Sequence, residues 1–264
     1  MAELVTIRPE QVTSAFSALF SPTMPTAARC RAVLAGGCAG VILTDDPDQP
    51  RVGYVQEASD GTLYCGGQQD AGTLARVIAM LRQDGVVWLP FRERDEIASL
   101  APPDPSVGAE CLELDRAVGS CDLSQLLDPG CLPPGYRIRR MDSELAESSP
   151  HRDETIIRYG SIANFLAHGI GFSLLDGDKF VCEVFADQAV DGVRELGVTT
   201  QKEYRRRGFA KVVCAHMIAA CEAEGCATCW DCAKLNLASV GLARRLGFGN
   251  ERGYRLLGWL PPRR

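Results

Sequence analysis

Residues 205–211, Arg-Arg-Arg-Gly-Phe-Ala-Lys, gather positive charge and small side chains at one point of a 264-residue chain. The segment before them, 195–200, reads as a strand. The apolar stripe Phe209, Val212, Val213, His216, Met217 and Ala220 predicts a long helix over about 208–224. A helix start leaves its first backbone N–H groups without partners, and the helix dipole adds partial positive charge there. Together they bind anions. Gly208 has no Cβ to hold an anion off the backbone, and Ala210 carries the next smallest side chain. Arg205, Arg206, Arg207 and Lys211 supply countercharge. A diphosphate suits this chemistry; the alternative is a capped surface helix with solvated charges.

A second cluster, Cys226-x-x-Cys229-x-x-Cys232, has a spacing found in iron–sulfur sites. The segment reads as a strand after Gly225, and strand side chains alternate faces. Cys226 and Cys232 then point one way and Cys229 the other, so no metal is expected. The chain contains twelve cysteines. It is long enough to bury a proper core and begins without a basic-then-apolar leader, so free, packed thiols are expected rather than disulfides.

The elements that position these residues follow from periodicity and punctuation. Val12, Phe16, Leu19 and Phe20 predict a helix starting at Pro9. Segments 51–57 and 62–65 flank Asp60-Gly61 as a hairpin, and 172–175 and 180–185 flank Asp176-Gly177 as another. Leu74, Val77, Ile78 and Leu81 repeat at helical spacing, and 86–90 reads as a strand. A strand is expected from Tyr136, a short helix over 161–168, a strand over 228–233, a helix over 237–246 and a last strand near 253–259. No internal repeat is evident.

The proline-rich stretch 128–135 reads as a linker between an N-terminal α/β domain, 1–134, and a second domain, 135–264. Residues 1–135 carry 9 Lys+Arg against 18 Asp+Glu, net −9; residues 136–264 carry 19 against 16, net +3. The acidic total disfavours nucleic acid, while the basic second half suits a small polyanion. The longest uncharged apolar stretch, 32–44, has 13 residues with three glycines, short of the roughly 20 that a membrane span needs. A cytoplasmic location is expected.

Arg205-x-x-Gly208-x-Ala210 has the form Gln/Arg-x-x-Gly-x-Gly/Ala, and with the preceding strand it resembles the coenzyme-A pyrophosphate motif of the GNAT superfamily of N-acetyltransferases. Asn236 and Leu246-Gly247-Phe248 are similar to that family's Asn…Gly-Phe spacing. The run from Glu195 through Trp230-Asp231, Asn236-x-x-Ser239 and Phe248, with Phe165 to Gly171 upstream, resembles the branch that includes the zwittermicin A self-resistance acetyltransferases. The likeness covers roughly 136–264; for the first half it is weak, although that branch carries an N-terminal extension.

The resemblance implies a mixed α/β fold with a twisted sheet whose two central strands splay apart. It implies that acetyl-CoA is the acetyl donor, that residues 205–211 (Phe209 among them) hold its diphosphate, and that Val198, Thr199 and Thr200 offer main-chain contacts to the pantetheine and the acetyl carbonyl. Asn236 and Ser239 line the other wall. The implied reaction is direct acetyl transfer to the amine of a small molecule: an amino acid, an antibiotic or a biosynthetic intermediate. No membrane takes part, and a homodimer is compatible with it. A base must remove the amine's proton, and Glu195 or Asp231 is the candidate. A backbone N–H near Val198 is the oxyanion donor. Many members place a tyrosine seven residues after the Asn, but that position is Ala243. Tyr254, Tyr204, Cys232 or water could act as acid instead. His216 reads as a packed core histidine, and His168 is open to a substrate role. A non-catalytic acyl-CoA-binding module, or transfer from another carrier such as an aminoacyl-tRNA, stands as the alternative.

Overall fold

The computed structural model describes residues 4–262 and is mixed α/β, as expected. Two compact units divide it: 1–112 with 253–264, and 113–252. The boundaries fall inside two strands. The proline-rich stretch expected as the linker carries a 3-10 turn, Pro129–Cys131, within the second unit.

The first unit contains β1 (Val5–Ile7), α1 (Ser14–Ser17), α2 (Ala27–Leu34), β2 (Gly40–Thr44), β3 (Val52–Glu57), β4 (Leu63–Gly67), α3 (Ala71–Leu81), β5 (Val87–Phe91) and α4 (Ile97–Leu100). Strand β6 (Val107–Arg116) contains the first boundary. The helix expected from Pro9 is broken into a 3-10 turn, Pro9–Gln11, and α1, because Thr13 Oγ1 accepts from the Phe16 N–H at 3.1 Å and restarts the helix. Strands β1 to β4 form an antiparallel meander. Its hairpin turns where expected: Gly61 has φ +79°, and a Cβ there would lie 2.0 Å from the Val86 carbonyl oxygen. The α3 stripe Leu74, Val77, Ile78 and Leu81 packs with Tyr54, Leu63 and Leu89.

The second unit continues with α5 (Ser124–Leu127), β7 (Tyr136–Arg140), α6 (Ser143–Ser148), α7 (Arg152–Tyr159), α8 (Ile162–His168), β8 (Ile170–Asp176), β9 (Lys179–Ala186), β10 (Val193–Thr200), α9 (Phe209–Ala223), β11 (Ala227–Ala233) and α10 (Leu237–Arg245). Strand β12 (Gly249–Trp259) contains the second boundary. Strands β7 to β10 form a second antiparallel meander, and β11 runs parallel to β10. Helix α9 packs on β8, β9 and β10 and also meets α5 and α10. Its buried surface is therefore wider than the expected stripe and includes Cys214, Ala215, Ile218 and Cys221. On the other face of the sheet, Phe165 of α8 sets its ring edge-on to Phe185, centroids 5.7 Å apart.

The two units share a topology that is not evident as a repeat in the sequence. Each unit has a four-stranded antiparallel meander, with helices between its first two strands, followed by a helix and a strand parallel to the meander's last strand. In the first unit that parallel contact is a single bridge, Thr62 with Trp88; in the second it is a ladder from Val193–Ala227 to Leu196–Trp230.

Candidate functional site

Strand β10 leads into a 3-10 turn, Lys202–Tyr204, and then into the arginine turn. Arg206 (φ +65°) and Gly208 (φ +84°) adopt the left-handed conformation. Such alternation points successive amides into one concavity, a nest for anions. Among the described residues, the N–H groups of Arg206, Arg207, Gly208, Phe209 and Ala210 donate to nothing; the first internal bond runs from Lys211 N–H to the Gly208 carbonyl at 3.0 Å. No side chain caps α9, and no acidic residue stands in its first turn. A Cβ on Gly208 would meet nothing within 4 Å, so the cradle is open. These residues fit the diphosphate of coenzyme A.

Each flanking side chain has a place. Arg205 Nε donates to the Thr200 carbonyl at 3.0 Å and ties the turn to the strand end. The Arg207 guanidinium lies 5.4 Å from the Tyr204 ring centroid. Tyr204 in turn donates to Asp176 at 3.2 Å. Phe209 is buried and stacks on Tyr136 at 4.9 Å, which seats the helix start on β7. Arg206 is exposed and Lys211 half-buried. A cavity of about 380 Å³ between the β8–β9 hairpin end and the segment before the arginine turn is lined by Ser148, Pro150, Asp178, Lys179, Phe180, Gln201, Glu203 and Tyr204.

The β10–β11 ladder stops at Leu196–Trp230, although β10 runs on to Thr200 and β11 to Ala233. This is the expected splay, and Val198, Thr199 and Thr200 lie along its open part. On β9's side the same residues remain paired, Thr199 with Glu183 and Thr200 with Cys182. The Thr200 hydroxyl donates to Cys182 Sγ at 3.2 Å on the α9 face; burial pushes that thiol up to about 11. Strand alternation sets Glu195, Gly197 and Thr199 on the opposite face. Glu195 pairs with Cys229, and Asp231 stands two residues further along β11, so the structure brings both carboxylates to one face.

Asn236 accepts from the Ser239 N–H at 3.2 Å as the cap of α10, and the Ser239 hydroxyl accepts from Trp230 Nε1 at 2.9 Å. Ala243 is fully buried. Cys232 is buried, with its thiol pushed up by that burial, and Tyr254 is buried in the first unit. His216 lies 6.4 Å from Phe172, and burial holds its imidazole below the usual range. His168 Nδ1 is 3.1 Å from the Asn164 carbonyl of its own helix. All twelve thiols are free, and burial alternates along β11 as the strand reading of the cysteine cluster requires.

Sequence reasoning missed a buried carboxylate, Glu183, and the imidazole beside it, His151. A charge in the middle of the apolar run Phe180-Val-Cys-Glu-Val-Phe185 was the available signal.

A model of the GNAT acetyltransferase family matches residues 119–257. An uncharacterized N-acetyltransferase of Bacillus subtilis, YdfB, is 30% identical over 127 residues, 47% of this chain and 49% of that protein. The chain thus spans about half the length of this curated relative. A GCN5-related N-acetyltransferase-like protein from Streptococcus suis superposes with a TM-score of 0.71 at 21% identity, covering 96% of this chain and 99% of that one. A tandem GNAT protein from the clavulanic acid biosynthesis pathway superposes with a TM-score of 0.65 at 11% identity, covering 99% of each chain. The two solved structures share the fold, no helix among the described residues is long and apolar enough to cross a membrane, and the match over more than half of its length shows that the chain belongs to the GNAT acetyltransferase family.

Proposed function

We propose that the chain is an acetyl-CoA-dependent N-acetyltransferase acting on the amine of a small molecule, whether an amino acid, an antibiotic or a biosynthetic intermediate, in the branch that includes the zwittermicin A self-resistance enzymes. One observation carries the reading: five unpartnered amides and three arginines form an open anion seat where β10 outruns its parallel neighbour. Residues 205–211 hold the diphosphate. The open edge of Val198 to Thr200 lies along the pantetheine, with a backbone N–H near Val198 donating to the acetyl carbonyl oxygen. Asn236 and Ser239 border the opposite wall. Bound acetyl-CoA supplies a thioester-activated acetyl group. Glu195 and Asp231, on the face away from α9, are the carboxylates proposed to draw in the acceptor as its ammonium. Residues 135–264 carry the catalytic parts in this reading.

The test pairs calorimetry with acetyl-CoA and a thiol-release assay across a panel of small amines. Micromolar binding with release on at least one amine is expected. Binding without release on any of them makes the chain an acyl-CoA-binding module; no binding ends the reading.

A further inference from the structure

At the junction of α6 and α7 an imidazole and a carboxylate face each other on the side of the sheet away from α9. Glu183 is 1% exposed. Its Oε1 accepts from Ser149 at 2.8 Å and Ser173 at 3.4 Å. Its Oε2 has no hydrogen-bond partner and lies 3.8 Å from His151 Nε2, which has none either. The His151 main-chain N–H donates to the same Ser149 hydroxyl at 2.9 Å, so one serine fixes both groups. The other ring nitrogen, Nδ1, turns toward solvent, 3.8 Å from the exposed carboxylate of Glu154. Glu183 from β9 and Glu154 from α7 are the charged groups that face the imidazole.

Two observations connect this pair with the transfer site. The cross-strand partner of Glu183 is Thr199, in the open part of β10. Ser148 and Pro150, just before His151, line a cavity with Gln201, Glu203 and Tyr204, the segment that joins the open end of β10 to the arginine turn. A buried carboxylate behind an imidazole selects the tautomer: Nε2–H points at the carboxylate, and the lone pair is left on Nδ1. Catalytic hydrogen bonds are often long before substrate binds and shorten in the complex. An imidazole titrates near neutral pH, where it takes a proton more readily than a carboxylate in its ordinary range.

We propose that His151 Nδ1 takes the proton of the acceptor ammonium, with Glu183 as the positioning residue that holds the ring in that tautomer. The assignment rests on the acetyltransferase reading. Once the ammonium has lost this proton, the freed nitrogen lone pair forms the C–N bond to the acetyl carbonyl carbon while the C–S bond breaks. The nitrogen's second surplus proton goes to the departing sulfur, and His151 returns the first to solvent.

Nitrogen-resolved NMR of the imidazoles, titrated in wild type and Glu183→Gln, reads the tautomer without any acceptor. The expected result is an Nε2–H tautomer at His151 whose share falls in Glu183→Gln; an Nδ1–H tautomer in the wild type, or the same tautomer populations in both proteins, overturns the proposal. On any amine that the wild type acetylates, His151→Gln should lower kcat/KM about 100-fold or more. It should also erase the acidic limb of the pH profile and leave acetyl-CoA affinity unchanged. A wild-type pH profile in that variant overturns the proposal even where the tautomer is as expected. Failure of the acetyltransferase reading shows separately, as absence of acetyl-CoA binding by the wild type.

Discussion

α3 and α9 each follow the fourth strand of an antiparallel meander, and their first turns are satisfied in opposite ways. At α3 the Asp70 side chain accepts from the Thr73 N–H at 2.9 Å, and that backbone bond holds its carboxyl below the usual range. The connection 67–72, Gly-Gln-Gln-Asp-Ala-Gly, contains no cation. At α9 the corresponding place is Gly208, with no capping side chain, and three arginines precede it. The first helix fills its start with its own carboxylate; the second leaves its first amides without a partner among the described residues. A helix start alone therefore does not make a phosphate site. The residue at the cap and the sign of the charge around it decide.

The most damaging change is expected from giving α9 what α3 has. Gly208→Glu places a carboxylate at an open, left-handed cap. It should weaken acetyl-CoA binding more than 100-fold by calorimetry, through repulsion of the phosphates and loss of close approach. Strain at φ +84° costs on the order of 1 kcal/mol, so Tm should fall by only a few degrees. Unchanged affinity would remove the turn from the cofactor site. A smaller effect is expected from the triple change of Arg205, Arg206 and Arg207 to Gln. That variant should bind roughly tenfold more weakly at low salt, with the gap narrowing as salt screens the exposed guanidinium groups. A gap independent of salt would mean that the arginines shape the turn rather than attract the ligand.

The parts of this comparison differ in how legible they were. The strand–turn–helix around Gly208 could be read because every signal lies within about 30 residues: a strand, a glycine and a stripe at helical spacing. The two Asp-Gly hairpins were readable for the same reason. The repeat was not, because the copies share topology while the residues at the decisive cap, Asp70 and Gly208, are chemically opposed. Strand β6 and helices α6 and α7 were missed; the helices are six and eight residues long and follow Asp142 and His151 without a long apolar stripe. The Glu183–His151 pair depends on which residues β9 presents beneath the α6–α7 junction, which no local spacing encodes. Glu195 and Asp231 could be named from the sequence, but their common face follows only from the β10–β11 register.

Asp70 and Glu183 sharpen the contrast further, since folding shifts their carboxyls in opposite directions. Asp70 is lowered by hydrogen bonds to backbone N–H groups; Glu183 is raised by burial, against the pull of Ser149, His151 and Ser173. A lowered carboxyl adds stability above the unfolded value of about 4, which is lost as pH falls through the folded pKa. A raised one does the reverse: its contribution is complete below the unfolded value and is lost as pH rises through the folded pKa. Glu183→Gln should therefore gain Tm relative to wild type between about pH 4 and neutrality, as the buried charge of the wild type forms. Asp70→Ala should lose roughly 2–4 °C at neutral pH, with the deficit closing below about pH 4. Because the cap of α3 lies outside the anion seat, that variant should keep full acetyl-CoA affinity and a stoichiometry of one. A second equivalent of acetyl-CoA bound by Asp70→Ala would show that the first unit's helix start is a masked copy of the same site, and the distinction drawn between the two caps would collapse.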